Sequence, residues 1–329
     1  MKVLVTGGAG FVGSHYVRCL LTGGYGPQPD LVVTVLDALS DGGHLANLDP
    51  VRDDERLRFV HGDVADEPLV SALTPGHDHV VNFAHAATLG ASAMVRTNVL
   101  GTQVLLEAAR AAGARMFAQV STDEVYGSIP TGAWTEDAPL APDSPYAASK
   151  AAADLLALAY GRTYDFPVVV TRGAYCYGPY QHPHRLVPLF VTNLLDGEPV
   201  PLFGDGQHRR DWLHVDDHCR GVHLALTAGR PGRVYHLGGG TELSYAELVE
   251  RLVDYVGADR DLVVPVPDRR GHDRRYCLDT ARTEAELGHR PRVSFDDGLA
   301  SVVAWYRENR AWWEPLKHGT RPAPADRAP

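Results

Sequence analysis

The 329 residues carry a formal net charge of −10, with 44% hydrophobic and 22% charged side chains. That composition describes an ordinary globular chain of one large or two smaller domains, and its acidity speaks against general nucleic-acid binding. No apolar run reaches the roughly 18–20 residues of a membrane span.

The chain opens on a buried strand, "KVLVTG", followed by a helix, "FVGSHYVRCLLTGG", that ends in glycines. Between them "TGGAGFVG" spaces Gly7, Gly10 and Gly13 as G-x-x-G-x-x-G. Glycine permits a tight turn and close backbone approach, and the helix N-terminus offers free N–H groups and a positive dipole end to a pyrophosphate. A glycine turn alone is a weak signal; the strand–turn–helix context strengthens it. "LVVTVLDAL" is a second strand. Its Asp37 stands where a carboxylate holds the adenosine ribose and repels a 2′-phosphate, which favours NAD over NADP. The third strand, "LRFVHGDV", ends in Asp63 and Val64, placed beside the adenine in such a fold.

"HDHVVNFAH" is a fourth strand, "TNVLGTQVLLEAARAAG" an amphipathic helix and "RMFAQVST" a fifth strand. The fifth runs into "STDEVYG", where Thr122, Asp123 and Glu124 set a hydroxyl beside two carboxylates. A solvated turn would explain them, as would a reaction that needs an acid and a base close together. Next comes a long helix, "SPYAASKAAADLLALAYGRTYD", with Tyr146 and Lys150 at i and i+4 on one face. An ammonium near a phenol lowers the phenol pKa, so the phenolate can take a proton from a substrate hydroxyl as hydride leaves. "PVVVTRGAYCYGP" reads as a sixth strand. Apolar strands alternating with helices predict an α/β Rossmann fold, a doubly wound parallel sheet covered on both faces.

The texture changes after residue 178. Prolines and glycines cluster, and the elements shorten to a strand in "RVYHLGGG", a helix in "SYAELVERLVDYVG" and a final helix in "FDDGLASVVAWYRENRAWW". The expected division is a dinucleotide-binding domain over 1–178, a smaller C-terminal α/β substrate lobe over 179–316 that interleaves with it, and a disordered Pro/Ala-rich tail over 317–329. Cys19, Cys176, Cys219 and Cys277 are far apart and form no C-x-x-C pair. Neither a disulfide framework nor a metal site is expected, and a reducing cytoplasm fits, as does an N-terminus without a basic leader.

"TGGAGFVG", Asp37, "STDEVYG" and "YAASK" together resemble the extended short-chain dehydrogenase/reductase family. Within it the chain is similar to the NAD-dependent nucleotide-sugar 4,6-dehydratases, through "YGPYQHP", "RDWLHVDDH", "GHDRRY" and "ENRAWWEPLK" as well. The resemblance implies an NAD cofactor touched also by Phe11, Val12, Phe83, Ala84 and Asn98. It implies a nucleotide-diphosphate sugar as substrate, dTDP-glucose foremost, held by Arg185, Arg210, Arg269, His272 and Tyr276. It further implies a homodimer. Tyr146 with Lys150 would start oxidation at C4 of the sugar, helped by Thr122; Glu124 would take the C5 proton and Asp123 would protonate the departing C6 hydroxyl. Adjacent strand residues face opposite ways, so the strand must end and turn at this pair.

Two departures fall on the sugar side. The stretch after the fourth strand, "FAHAATLGASAMVRTNV", is about five residues shorter than usual, with Ala87, Thr88 and Gly90 near positions that are usually polar. Tyr175 and Cys176 replace two asparagines common before "YGP". The departures leave open a working dehydratase, a changed sugar or nucleotide or altered chemistry after C4 oxidation, and weak or lost activity. The competing functions are a 4-epimerase using the same transient C4 ketone and a non-catalytic NAD-binding protein.

Overall fold

The computed structural model describes residues 1–28, 30–40, 42–87, 89–268 and 273–319. The first half runs β1 (Lys2–Thr6), α1 (Phe11–Leu21), β2 (Val32–Asp37), β3 (Leu57–His61), α2 (Glu67–Leu73), β4 (His79–Asn82), α3 (Ala91–Met94), α4 (Gly101–Ala111), β5 (Met116–Thr122), α5 (Pro145–Tyr164) and β6 (Val168–Gly173). The second half runs β7 (Tyr175–Tyr177), α6 (Leu186–Asp196), β8 (Val200–Phe203), β9 (Arg209–His214), α7 (Val215–Ala228), β10 (Val234–Leu237), β11 (Glu242–Ser244), α8 (Tyr245–Val256), β12 (Val263–Val266), α9 (Ala281–Leu287), α10 (Phe295–Glu308) and α11 (Arg310–His318).

Seven parallel strands form one sheet in the order β10-β6-β5-β4-β1-β2-β3. Alternate strand residues feed two cores, as the period of two requires. Val3 and Val5 pack with Val33, Val35 and the buried face of α7 on one side. Leu4 packs with Leu36, Val80, Phe117 and the α4 and α5 residues Leu105 and Ala157 on the other. Both faces are therefore covered, and the strands read as continuous apolar runs. The order reverses between β1 and β4, and such a switch point opens a crevice at the carboxyl ends of the strands.

The seventh strand of this sheet, β10, and the helix α7 come from beyond residue 178. A third core joins α6, α8, α10 and α11 through Phe190, Leu248, Leu299 and Trp313. It includes Tyr177 and Trp212 from a small sheet ordered β11-β9-β7.

Two predicted elements are broken in two. The sixth strand stops at Gly173 and resumes as β7, where Tyr175 pairs with Trp212; at Ala174 the chain leaves the large sheet for the small one. The final helix breaks at Asn309, with ψ at 40°, and α11 turns back so that Trp313 is fully buried and its Nε1 donates to Tyr306 O at 2.6 Å. Helix α11 reaches His318, past the expected boundary at 316, and 320–329 lie outside the described residues. Among the described residues no helix is long and apolar enough to cross a membrane.

Candidate active site

The crevice is a cleft of about 480 Å³. At one end the glycine loop leaves β1 and enters α1. Gly7 has φ +70°, and a Cβ there would lie 2.6 Å from Ala84 N. A Cβ on Gly13 would stand 2.2 Å from Gly7 O. Gly10 caps α1 with no side-chain hydrogen bond, so the first helical amides are left to a ligand or water. Backbone thus lines this wall where any side chain would fill it, the cradle a pyrophosphate needs. Gly13→Ala is expected to abolish dinucleotide binding or folding of the loop; a variant that co-purifies with normal cofactor content would contradict this close approach.

Asp37 ends β2 and is buried, accepting from Ala9 N at 2.8 Å and Leu39 N at 2.7 Å. Burial raises its pKa and these amides oppose the rise. Its oxygens have further lone pairs, and the side chain lines the cleft with Asp63 and Val64. Asp63 pairs with Arg96 at 3.2 Å.

Phe11, Val12, Phe83 and Ala84 line the cleft as expected for cofactor contacts, and so do Tyr146 and Lys150. Asn98 does not. It is 1% exposed, and its amide bonds Ala86 N at 2.7 Å, Ala86 O at 2.9 Å and Ser149 Oγ at 2.8 Å. Asn98 therefore ties the turn after β4 to α5 from behind the wall, which corrects its assignment as a cofactor contact.

At the other end β5 stops at Thr122 and a short 3₁₀ turn, Asp123–Tyr126, follows, closed by Gly127 at φ +75°. Thr122 Oγ1 accepts from Glu124 N at 3.3 Å and donates to Asp123 Oδ1 at 3.2 Å. The turn separates the two carboxylates: Glu124 lines the cleft, while Asp123 is 4% exposed. Asp123 Oδ2 is buried without a partner. Burial first, then the charges of Glu124 and Asp211, push Asp123 up to about 8, against Arg210 and the Thr122 hydrogen bond. Burial and Asp273 raise Glu124, while Arg210 and Arg185 oppose. Two carboxyls adjacent in the chain thus sit in different environments, the condition under which one can serve as acid and the other as base.

Ser144 precedes and caps helix α5, its Oγ accepting from Ala147 N at 3.1 Å. Its first two turns set Tyr146 and Lys150 on the cleft wall. Lys150 is 4% exposed, its Nζ donates to Val120 O at 2.6 Å, and burial lowers it to about 8.

Arg185, at the start of α6, lines the cleft. Arg210 and Tyr276 do not reach the wall. Arg210 is 4% exposed, with its guanidinium 4.7 Å from the Tyr276 ring centroid and 5.4 Å from that of Tyr245. It bears electrostatically on both Asp123 and Glu124. Tyr276 is buried and hydrogen-bonds Asp273. Arg269, His272 and Thr88 lie outside the described residues.

The cleft also exposes residues to which the sequence assigned no role. His85, with Nδ1 3.1 Å from Phe83 O, has its ring 6.1 Å from that of Tyr146. Ser121, Thr97 and Gln181 complete this wall. Tyr175 and Cys176 line it too; Tyr175 packs on Trp212 with centroids 4.9 Å apart, and burial raises the Cys176 thiol far above its usual range. Away from the cleft, one grouping of metal-ligating side chains occurs among the described residues: His15, Cys19 and Asp216, within 4.8 Å of one another. There His15 Nε2 pairs with Asp216 at 2.6 Å, clasping α1 to α7.

A glycine-lined dinucleotide cradle that shares one cleft with a Tyr-x-x-x-Lys helix is the site of an extended short-chain dehydrogenase/reductase. The family described as GDP-mannose 4,6 dehydratase matches residues 4–302, and the chain belongs to it. It is 55% identical over 322 residues to the dTDP-glucose 4,6-dehydratase of Streptomyces niveus, covering 96% of each chain. Over 329 residues it is 56% identical to that of Streptomyces antibioticus, covering 98% of this chain and 97% of the relative. The structure of the dTDP-glucose 4,6-dehydratase from Streptomyces venezuelae with NAD and TYD bound superimposes with a TM-score of 0.94 at 57% identity, over 96% of this chain and all of that one. A UDP-glucose 4-epimerase from Thermotoga maritima with UDP-glucose has a TM-score of 0.86 at 32% identity, covering 94% and 99%.

Proposed function

We propose that this chain is an NAD-dependent hydro-lyase that converts dTDP-glucose to its 4-keto-6-deoxy product. The observation that carries the reading is the turn after β5, which sets Glu124 on the same cleft as Tyr146 and Lys150 with the buried Asp123 beside it in the chain. Gly7, Gly10 and Gly13 hold the pyrophosphate of NAD, Asp37 its adenosine ribose, and Asp63 and Val64 flank the adenine. NAD⁺ bound there accepts a hydride from C4 of the sugar and gives it back at C6.

Tyr146 takes the C4 hydroxyl proton, with the Lys150 ammonium stabilising its phenolate and Thr122 hydrogen-bonding near O4. The C4 ketone acidifies the C5 proton, which Glu124 removes. Asp123, protonated near neutral pH, gives its proton to the C6 hydroxyl, which leaves as water. Arg185 binds the diphosphate at the cleft wall. Arg210 stays behind the carboxylates and restrains the rise of both pKa values.

The reading includes a cytoplasmic homodimer. The apolar side chains Val95, Leu100, Leu155 and Tyr164 are exposed on the segment leading into α4 and on α5, two elements packed together. All four cysteines are free thiols, which suits a reducing compartment.

Tyr175 supports a second reading, a different nucleotide sugar, because its ring occupies wall that a small polar side chain would leave open. Incubation with dTDP-, UDP-, GDP- and CDP-hexoses, followed by mass spectrometry, separates these. Loss of one water from dTDP-glucose, without NADH accumulation, is expected. A new stereoisomer of unchanged mass, resolved from the substrate by chromatography, would identify an epimerase, and steady NADH release would rule out both. Asp37→Ala is expected to weaken NAD and relax discrimination against NADP. Unchanged cofactor selectivity in equilibrium binding would contradict the ribose contact.

A further inference from the structure

Beneath the cleft lies a chain of buried polar groups that the mechanism above does not use. Asp154 follows Lys150 by one turn of α5, on the same face, and is fully buried. Its Oδ2 accepts from Arg172 Nε at 2.9 Å. Arg172, on β6, is 3% exposed and donates through Nη1 to Tyr126 OH at 2.5 Å. Tyr126 OH in turn lies 2.6 Å from His236 Nε2, and His236 Nδ1 lies 2.8 Å from Asp279 O. With Nδ1–H donated to that carbonyl, Nε2 accepts from the phenol, and the imidazole is neutral. Burial lowers the His236 pKa to about 3.

A buried ion pair is weak evidence of stabilisation, because desolvation offsets most of the attraction. This one has a distinct neighbour. Lys150 Nζ forms its hydrogen bond to a neutral carbonyl, Val120 O, and no ion pair within 4.0 Å joins it to Asp154. Asp154 therefore acts on Lys150 through space, in a dry interior where unit charges interact strongly. The groups facing the pair come from every element around it: Ser121 from β5, Tyr126 from the following turn, Arg172 from β6, His236 from β10, and Glu136 from the segment before α5. Ser121 Oγ and Asp154 Oδ1 are both without a hydrogen bond of good geometry, although the serine lies close enough to favour the carboxylate. Burial opposes the lysine charge, and Asp154 is the charged group that supports it.

We propose that Asp154, clamped by Arg172, is a positioning residue of the active site: it is the fixed counter-charge that keeps the Lys150 ammonium charged beside Tyr146. Arg172, Tyr126 and His236 hold that carboxylate in place. The consequence for catalysis rests on the proposed role of Tyr146 and Lys150; the consequence for Lys150 itself does not.

The chain has three lysines, Lys2, Lys150 and Lys317, so carbon-13 labelling of the lysine ε-carbon gives three NMR signals, that of Lys150 identified by its loss in Lys150→Met. Asp154→Asn would leave Arg172 buried beside an uncharged partner and endanger the fold. The main variant is therefore the double replacement Asp154→Leu with Arg172→Met, which removes both charges, and Asp154→Glu is the conservative companion. All are compared as NAD-loaded protein without substrate. The Lys150 midpoint is expected to start near 8 and to fall by about one pH unit or more in the double variant, while Asp154→Glu stays near the wild type. In single-turnover C4 oxidation the alkaline limb should move down by the same interval. A folded, NAD-loaded double variant whose Lys150 titrates as in the wild type would overturn the proposal and leave the pair a structural contact. A rate lowered equally at every pH, with the Lys150 midpoint unmoved, would overturn it as well. A shifted midpoint in a protein that turns over no sugar nucleotide would uphold the lysine assignment and refute the proposed function instead.

Discussion

Glu124→Gln is expected to leave C4 oxidation intact and to stall the enzyme there, with bound NADH visible near 340 nm. The glutamine keeps the size of the side chain in the cleft but cannot take the C5 proton. Removing one general base or acid typically costs roughly 10²–10⁴-fold, and the whole loss should fall on elimination. Exchange of the C5 proton with solvent deuterium should disappear. Asp123→Asn should behave differently: oxidation and C5 exchange persist, and water loss stops, because the C6 hydroxyl has no proton donor. The pH profile carries the same assignment. Burial and Glu124 raise Asp123 to about 8, so the acid form predominates at neutral pH and elimination should decline as pH rises through that value. If both variants lost oxidation and elimination equally, with fold and cofactor intact, the division of labour would be wrong. If both dehydrated normally, the carboxylates would be a polar turn and no more.

Tyr146→Phe is expected to lose C4 oxidation itself, again by roughly 10²–10⁴-fold, while still holding NAD and the sugar nucleotide. The block differs from that of Glu124→Gln because it precedes hydride transfer, so no NADH signal should form in a single turnover. The two variants therefore sort the cleft into an oxidation half on α5 and an elimination half on the turn after β5. Wild-type single-turnover rates in Tyr146→Phe would remove the phenol from the mechanism.

The parts of the site legible in the sequence are those held by a junction between elements. Gly7 and Gly13 sit where a strand must turn into a helix with no room for a Cβ, and Asp37 sits at a strand end. Tyr146 and Lys150 need only the period of a helix. Side chains whose direction depends on packing between distant elements were less legible. The family resemblance puts Asn98 at the cofactor, yet its amide closes on Ala86 and Ser149 behind the wall. Arg210 belongs to a strand that meets the Asp123–Glu124 turn from behind, a fact invisible until β9 has its place in the small sheet. The break at Ala174 has the same origin: the run "VVVTRGAYCY" reads as one strand from its β-branched and aromatic residues, and pairing with two different sheets divides it. Asp154 and Arg172 lie 18 residues apart, with no motif between them; their pairing follows from α5 packing on β6.

The most direct test of the central claim uses dTDP-glucose carrying deuterium at C4. A 4,6-dehydratase takes that deuterium from C4, holds it on the cofactor during elimination and returns it to C6 of the same sugar. The expected product is lighter by one water, with a keto group at C4 and deuterium at C6, and the cofactor is recovered as NAD⁺. Deuterium back at C4 in a product of unchanged elemental composition, or released in free NADH, would contradict it.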